Sequence, residues 1–305
     1  MSREGSYNFK KLYKSGLFEN ESIALKFIIE SDLLRNGCYC SDDCDGILEI
    51  VKNSKYKYGL ALQCPTCGLC KSIFDGSFFT RSKLQIHKVL EIIYHWSLMK
   101  GVTETAFEVG VTEPTVTNFF QALRDACIDW IEIHKNEDKI GGSNTTVEVD
   151  ETLMVKRKSN AGRILSQIWI VGGICRETGK CFAKRVENRN ADTLTEVILD
   201  HVKPETTIHT DMWRGYIRLR QTDQAYIHRT VDHSKNFVDP ETGVHTQNIE
   251  RLWRELKDVL KRYRGIPKEE VDSHVAEFLW RRNKGVKREN AFIETIHMLQ
   301  DVEFE

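Results

Sequence analysis

Residues 206–216 read TTIHTDMWRGY. A short run of Thr and Ile stops at the carboxylate of Asp211, and Trp213, Arg214, Gly215 and Tyr216 follow almost at once. β-Branched residues at this density predict a strand. A second run, TTVEVDET (145–152), is built the same way and carries Asp150. Taken singly, an Asp after a strand is most often a turn residue or a helix cap. Held on neighbouring strands of one sheet, two such acids would stand a few ångströms apart, and repulsion would raise one pKa. Hard divalent cations, which take oxygen ligands, remove that conflict.

The flanking segments supply the sheet. SQIWIVGGIC (166–175), KCFAKRVE (180–187) and QAYIHRTV (224–231) read as further strands, and ADTLTEVILDHV (191–202), QNIERLWRELKDVLKRY (247–263) and KEEVDSHVAEFLWRRN (268–283) as helices. Strands interleaved with helices argue for an α/β layer on a mixed sheet. A third acid is available in HTQNIERLWRELK (245–257): Glu250 falls on the first turns of a helix, with Lys257 two turns on along roughly the same face. Two cations roughly 4 Å apart, held by such acids, clamp the attacking and leaving oxygens of a phosphoryl displacement. Asp211 therefore ends its strand to face metal, and Trp213, Arg214 and Tyr216 begin the wall behind it.

Upstream, KNEDKIGGSN (135–144) reads as a linker. LQIHKVLEIIYHWSLMKG (84–101) predicts a helix with Leu84, Val89, Ile92, Ile93, Trp96 and Met99 on one apolar face, stopped by Gly101. TETAFEVG (103–110) predicts a short helix. VTEPTVTNFFQALRDACIDWIEIH (111–134) predicts a long one, with Thr112 as N-cap, Pro114 in the first turn, and Val116, Phe119, Phe120, Leu123 and Ile128 inward. The pair has the form of a helix-turn-helix. Glu113, Thr115, Thr117, Asn118 and Gln121 would point outward to base edges, with Lys83, Lys88, Lys100 and Arg124 nearby for phosphates. An ordinary helical hairpin is the alternative. The domain division expected is 1–80, an N-terminal region with a metal ribbon; 81–136, the helix-turn-helix; and 145–305, the α/β domain.

The chain has 305 residues, 40% of them hydrophobic and 10% aromatic, which suits a globular protein with a sizeable core rather than a disordered one. No window approaches eighteen apolar residues, and the N-terminus lacks the apolar core of a signal peptide. A soluble intracellular protein in a reducing compartment is expected, with no membrane association. Six of the nine cysteines crowd into residues 38–70, which in that compartment reads as a metal site before disulfides. Cys40 and Cys44 form a C-x3-C knuckle, and Cys64 and Cys67 a C-x2-C knuckle, at the separation of a ribbon. Four thiolates suit a structural Zn²⁺ that would supply folding free energy. Cys38 and Cys70 remain alternative ligands.

The net charge of −1 conceals an uneven distribution. Residues 19–50 carry eight acids and two bases, 153–190 nine bases and two acids, and 251–290 twelve bases and seven acids. One basic block lies between the first and second acid and the other follows the third, a basic setting that suits a polyanionic substrate. Lys156, Arg157 and Lys158 are the densest cluster in the first block, fit for phosphates or for nuclear import.

From VEVDET through QIWIVGGI, HTDMWRGY, HRTVDHSKNFVDPETGVHTQNIERLWRELK and AEFLWRRN, the sequence resembles the catalytic domain of Merlin-type DNA transposases, relatives of bacterial insertion-sequence transposases. CPTC followed by KSIFDGSFFTRSKL resembles the family's zinc-ribbon end, and LEIIYHWSLMKGVTETAFEVGV its helix-turn-helix. The similarity runs from about residue 38 to 284. It implies an RNase H-like fold preceded by a zinc ribbon and a helix-turn-helix, and a catalytic triad of Asp150, Asp211 and Glu250. Lys257 is then placed on a phosphate, and Thr115, Thr117, Asn118, Gln121, Lys156, Arg157, Lys158 and Arg214 on DNA. The implied reaction is Mg²⁺- or Mn²⁺-dependent attack on phosphodiester bonds of double-stranded DNA at terminal inverted repeats, then insertion into a target, by a homodimer or larger assembly. Some bacterial relatives carry Asn or His as third catalytic residue, and Gln247 and Asn248 stand beside Glu250. The first knuckle departs from C-x2-C, which leaves the choice among Cys38, Cys40 and Cys44 open. A eukaryotic host would place the protein in the nucleus. Two other readings keep the fold: a domesticated DNA-binding protein that no longer cuts, and an RNase H-like nuclease of repair or RNA metabolism.

Overall fold

The computed structural model describes residues 8–41, 43–80, 82–154, 167–232, 238–240, 242–263 and 265–304. The chain divides into two units, residues 1–126 with 286–305, and residues 127–285.

The first unit begins with α1 (Phe9–Lys14) and α2 (Glu21–Glu30), absent from the sequence reading. Each is started by an asparagine: Asn8 Oδ1 accepts from Lys11 N–H, and Asn20 Oδ1 from Ser22 and Ile23 N–H. A hairpin of β1 (Tyr39–Ser41) and β2 (Cys44–Ile47) follows, then an antiparallel sheet of β3 (Glu49–Lys52), β4 (Leu60–Gln63) and β5 (Cys70–Ser72). Next come α3 (Ile86–Ser97), α4 (Val102–Val109) and α5 (Glu113–His134), whose last turns fall in the second unit.

The helix boundaries refine the sequence reading. Met99 takes a left-handed φ of 58°, so α3 ends before Gly101; Leu84 lies outside the helix and Met99 is exposed. Gly110 closes α4 at φ 68°, where a side chain would be strained. On α5, Val116, Phe120 and Leu123 are buried as expected, but Ile128 is 39% exposed. The buried stripe runs 116, 120, 123, 127, 130, and position 128 sits about 100° away from Cys127 around the helix.

The second unit holds β6 (Thr146–Leu153), β7 (Trp169–Cys175), β8 (Cys181–Val186), α6 (Ala191–His201), β9 (Thr207–Asp211), β10 (Ile227–Val231), α7 (Gln247–Lys261) and α8 (Val271–Asn283). Among the described residues its sheet has the order β10-β9-β6-β7-β8, with β6, β7 and β8 antiparallel in turn and β6, β9 and β10 parallel. This is the mixed sheet the sequence predicted. Both faces are covered. One packs Val147, Val149 and Ile208 against Leu194 and Ile198 of α6; the other packs Ile170 and Ile174 against Ile249, Leu252, Trp253 and Leu256 of α7 and Val275 and Leu279 of α8. A strand covered on both faces must be apolar throughout, which accounts for the unbroken run WIVGGIC. The last helix, α9 (Ala291–Asp301), belongs to the first unit, where Phe292 packs on Phe18, Phe27 and Tyr94.

Candidate active site and tetrathiolate centre

The four predicted zinc ligands meet. The Sγ atoms of Cys40, Cys44, Cys64 and Cys67 all lie within 4.8 Å of one another. Cys40 to Cys67 is 3.6 Å and Cys44 to Cys64 is 3.7 Å. A tetrahedron with Zn–S bonds of about 2.3 Å has edges of about 3.8 Å, so both donor set and spacing fit zinc. Gly46 makes the room: a Cβ there would collide with Cys64 Sγ and with the Thr66 hydroxyl. The backbone N–H groups of Cys67 and Thr66 aim at Cys64 Sγ and bring its thiol down to about 6, while burial and the neighbouring thiols push Cys40 up to about 12, so without a cation the four sulfurs cannot all be thiolates together. Cys38 and Cys70 stay outside this group; Cys70 Sγ instead accepts from Asn53 Nδ2 at 3.5 Å.

The two strand-end acids also share a place. Parallel pairing runs from Thr146–Thr207 to Glu148–His209, and Asp150 and Asp211 each lie two residues beyond that last pair, on the same sheet face. Asp150 is opposed on its other side by Gly172 of β7. A Cβ at Gly172 would stand 2.5 Å from Trp253 Cη2 and 2.5 Å from Phe182 O, so glycine is what lets Trp253 of α7 lie on the sheet there. Trp253 Nε1–H then donates to Asp150 Oδ2 at 3.0 Å. Burial, reinforced by the charges of Glu151 and Asp211, pushes the Asp150 carboxyl up to about 7. Asp211 Oδ1 accepts from Trp213 N–H at 3.0 Å. Clustered, desolvated carboxylates that repel one another are a donor set suited to a hard divalent cation.

Glu250 sits exposed on the first turn of α7. Among the described residues, the thiol cluster is the one group of three or more Cys, His, Asp or Glu whose donor atoms all approach within 4.8 Å, so the three acids are more widely spread than ligands of a single ion. Lys257, two turns further on, donates from Nζ to Thr152 Oγ1 at 2.5 Å, on the face that carries Asp150.

Several participants were invisible in the sequence. Glu148 is fully buried and bonds the N-terminus of α7 and Arg176. Glu151, on the opposite face from Asp150, accepts from Tyr216 Oη at 2.6 Å and Arg189 Nη1 at 3.1 Å. Burial raises its pKa and that of Tyr216. Arg189 is stacked 3.6 Å over Trp169 and 4.8 Å over Trp213. This assembly stands behind Asp211, with Trp213 half-buried and Tyr216 buried in it, and Arg214 is exposed beside it. The signal was present in part: VEVDET places acids on both faces of one strand, and only an acid with a buried partner can stay inside.

Of the expected DNA contacts, Thr117 and Asn118 are exposed on α5, and the Thr117 hydroxyl donates to Glu113 O. Thr115 pairs with Thr112, and Gln121 bridges Arg124 and Asp125. Arg124 does not serve as a surface phosphate ligand: it is 5% exposed, with Nη2 on Gln121 Oε1. Lys100 is held by Glu104 and Glu108. Lys156, Arg157 and Lys158 lie outside the described residues. No helix among the described residues is long and apolar enough to cross a membrane.

Comparison with known proteins gives this arrangement a family. A Haemophilus influenzae protein described as an uncharacterized transposase-like protein is 30% identical over 104 residues, which is 34% of this chain and 81% of that one. Solved structures with some likeness include the HTLV-2 integrase catalytic core domain in complex with magnesium (14% identity, 46% of this chain and 84% of that one, TM-score 0.32). The BIV integrase catalytic core domain is another (19%, 51% and 97%, TM-score 0.34). Residues 130–283, half of the chain and containing Asp150, Asp211, Glu250 and Lys257, match the ISXO2-like transposase domain, and the chain therefore belongs to the family of transposases that carry it.

Proposed function

We propose that this protein is a Merlin-type DDE transposase that binds the inverted-repeat ends of its element and cuts and rejoins DNA with two divalent cations held by Asp150, Asp211 and Glu250. The observation that supports the reading is that Asp150 and Asp211 each lie two residues beyond the last pair of two adjacent parallel strands, with the Asp150 carboxyl raised by burial and by neighbouring negative charge, Asp211 among its sources. When bound, Mg²⁺ or Mn²⁺ would supply Lewis-acid activation of the attacking and leaving oxygens.

The chain's own residues do the rest. Trp253 fixes one carboxylate oxygen of Asp150 and excludes water from that side. The backbone N–H of Trp213 orients Asp211. Lys257 of α7 is tethered to Thr152, which lies two residues beyond Asp150 on the same face of β6, where an ammonium would meet a phosphate oxygen. The exposed residues at the start of α5, Thr117 and Asn118, would read base edges, and Lys156, Arg157, Lys158 and Arg214 would hold the backbone. The tetrathiolate would hold Zn²⁺ as a structural ion, because four protein ligands leave no open position. Joining two ends implies a dimer or larger assembly, and the Merlin assignment implies the nucleus of a eukaryotic host.

The test is cleavage of labelled repeat-end DNA by purified protein with Mg²⁺ or Mn²⁺. Cleavage that disappears in Asp211→Asn while DNA binding persists supports the transposase. Binding without cleavage in the wild type supports a domesticated DNA-binding protein. Cutting without preference for the repeat ends supports a general nuclease.

A further inference from the structure

We propose that Glu148 is a positioning residue that sets the register of α7 against β6 and thereby the placement of Glu250; this rests on the reading of Glu250 as a metal-holding acid. Glu148 lies inside the sheet, on the face that carries Asp150, and its side chain is completely buried. Its carboxylate is fully engaged. Oε2 accepts from Asn248 N–H at 2.8 Å and Ile249 N–H at 3.1 Å; Oε1 accepts from Asn248 Nδ2 at 2.7 Å and Arg176 Nε at 2.6 Å. Arg176 continues to His245 O at 2.8 Å, on the approach to the helix. A carboxylate here satisfies the first N–H groups of α7 and meets the positive end of its dipole. Thr246, at the N-cap, makes no side-chain capping bond.

The spacing shows what this bond fixes. Alternate residues of β6 reach α7 at three levels: Glu148 at Asn248, Asp150 at Trp253 and Thr152 at Lys257. Four strand residues span about 13 Å and nine helix residues about 13.5 Å, so helix and strand run alongside each other without slippage. Glu250 lies between the first and second of these ties. Removing the first takes away the polar tie that fixes the start of α7 on β6, and leaves Ile249 in the core and the Arg176 bond to His245 O to hold the segment that bears Glu250. A misplacement of about 1 Å is enough to cost catalysis about 100-fold.

Glu148→Gln tests this. One amide oxygen would face four donors, its NH₂ would meet Arg176 or Asn248 as a second donor, and the guanidinium would lose its countercharge. Glu148→Asp keeps the charge on a shorter stem. Mn²⁺ binding to the zinc-replete protein is read by electron paramagnetic resonance, and amide hydrogen exchange reports on residues 245–252. Glu148→Gln is expected to speed exchange in that segment and to weaken Mn²⁺ binding about tenfold, the low end for residues that orient metal ligands. Glu148→Asp should restore part of both. On a Glu250→Gln background Glu148→Gln should change Mn²⁺ affinity less than about twofold, since the residue it positions is already gone. Equal weakening on both backgrounds, or none on either despite a normal melting curve, would overturn the proposal. A wild type that binds no Mn²⁺ would instead overturn the proposed function, and the exchange result would stand apart from it.

Discussion

Replacing Asp150 by Asn should stabilise the cation-free protein, by an amount that grows with pH. The Asp150 carboxyl stands at about 7 in the folded chain against an ordinary value of 3.8, because of burial and of the nearby negative charges of Glu151 and Asp211. At about 1.36 kcal/mol per pKa unit, that displacement corresponds to about 4 kcal/mol. The sign follows from proton binding. Between pH 4 and 7 the folded state holds a proton at this site that the unfolded chain has released, so stability falls as pH rises, and the full loss is present above pH 7. Asparagine does not titrate and still offers Trp253 Nε1–H an oxygen acceptor. Urea unfolding followed by tryptophan fluorescence, with zinc retained and no Mg²⁺ added, should therefore show Asp150→Asn more stable by about 4 kcal/mol at pH 8, with the gap closing towards zero at pH 4. Millimolar Mg²⁺ should then narrow the gap at pH 8 by stabilising the wild type alone. Parallel pH profiles for the two proteins would refute the claim that Asp150 is held in electrostatic conflict.

Gly46→Ala, whose new methyl would strike Cys64 Sγ, should leave the purified protein with well under one equivalent of zinc by metal analysis, whereas the same change at Gly101, where a Cβ meets open space and φ is negative, should leave zinc content unchanged. Gly172→Ala should push Trp253 off the sheet, costing about 1–3 kcal/mol of stability in urea unfolding and changing the tryptophan emission. Glu21→Gln should destabilise the first unit by about 1–3 kcal/mol, because Glu21 caps α3 by accepting from Ile86 N–H at 2.9 Å and His87 N–H at 3.2 Å, and also takes the Tyr58 hydroxyl. Burial pushes the Glu21 carboxyl up, but these bonds and His87 bring it to a net value below the ordinary 4.5, so its contribution should be present above pH 4.5 and vanish as pH falls through the lowered value.

The sheet was legible because its strands, β8 apart, carry β-branched residues bounded by glycine or charge, and TVEVDET, WIVGGIC and TIHTD all fall within a residue or two of their expected limits. The thiol cluster was legible because knuckle spacing is a local property. What escaped the sequence depends on residues distant in the chain. FKKLYK and ESIALKFIIE are too short to show a decisive period, and they are helices because Asn8 and Asn20 cap them and aromatic residues from α3 and α9 cover them. Glu148 reads as one more solvated strand residue until α7, 100 residues on, closes over it. Arg124 read as a surface base for the same reason in reverse: nothing local shows that its helix face is covered.

Crystals soaked in Mn²⁺ and measured at the manganese edge test the central claim most directly. Anomalous density between Asp150 and Asp211, with a second peak towards Glu250 when DNA is bound, is the predicted result. Manganese absent from Asp150 and Asp211 in protein that cleaves repeat-end DNA would contradict it.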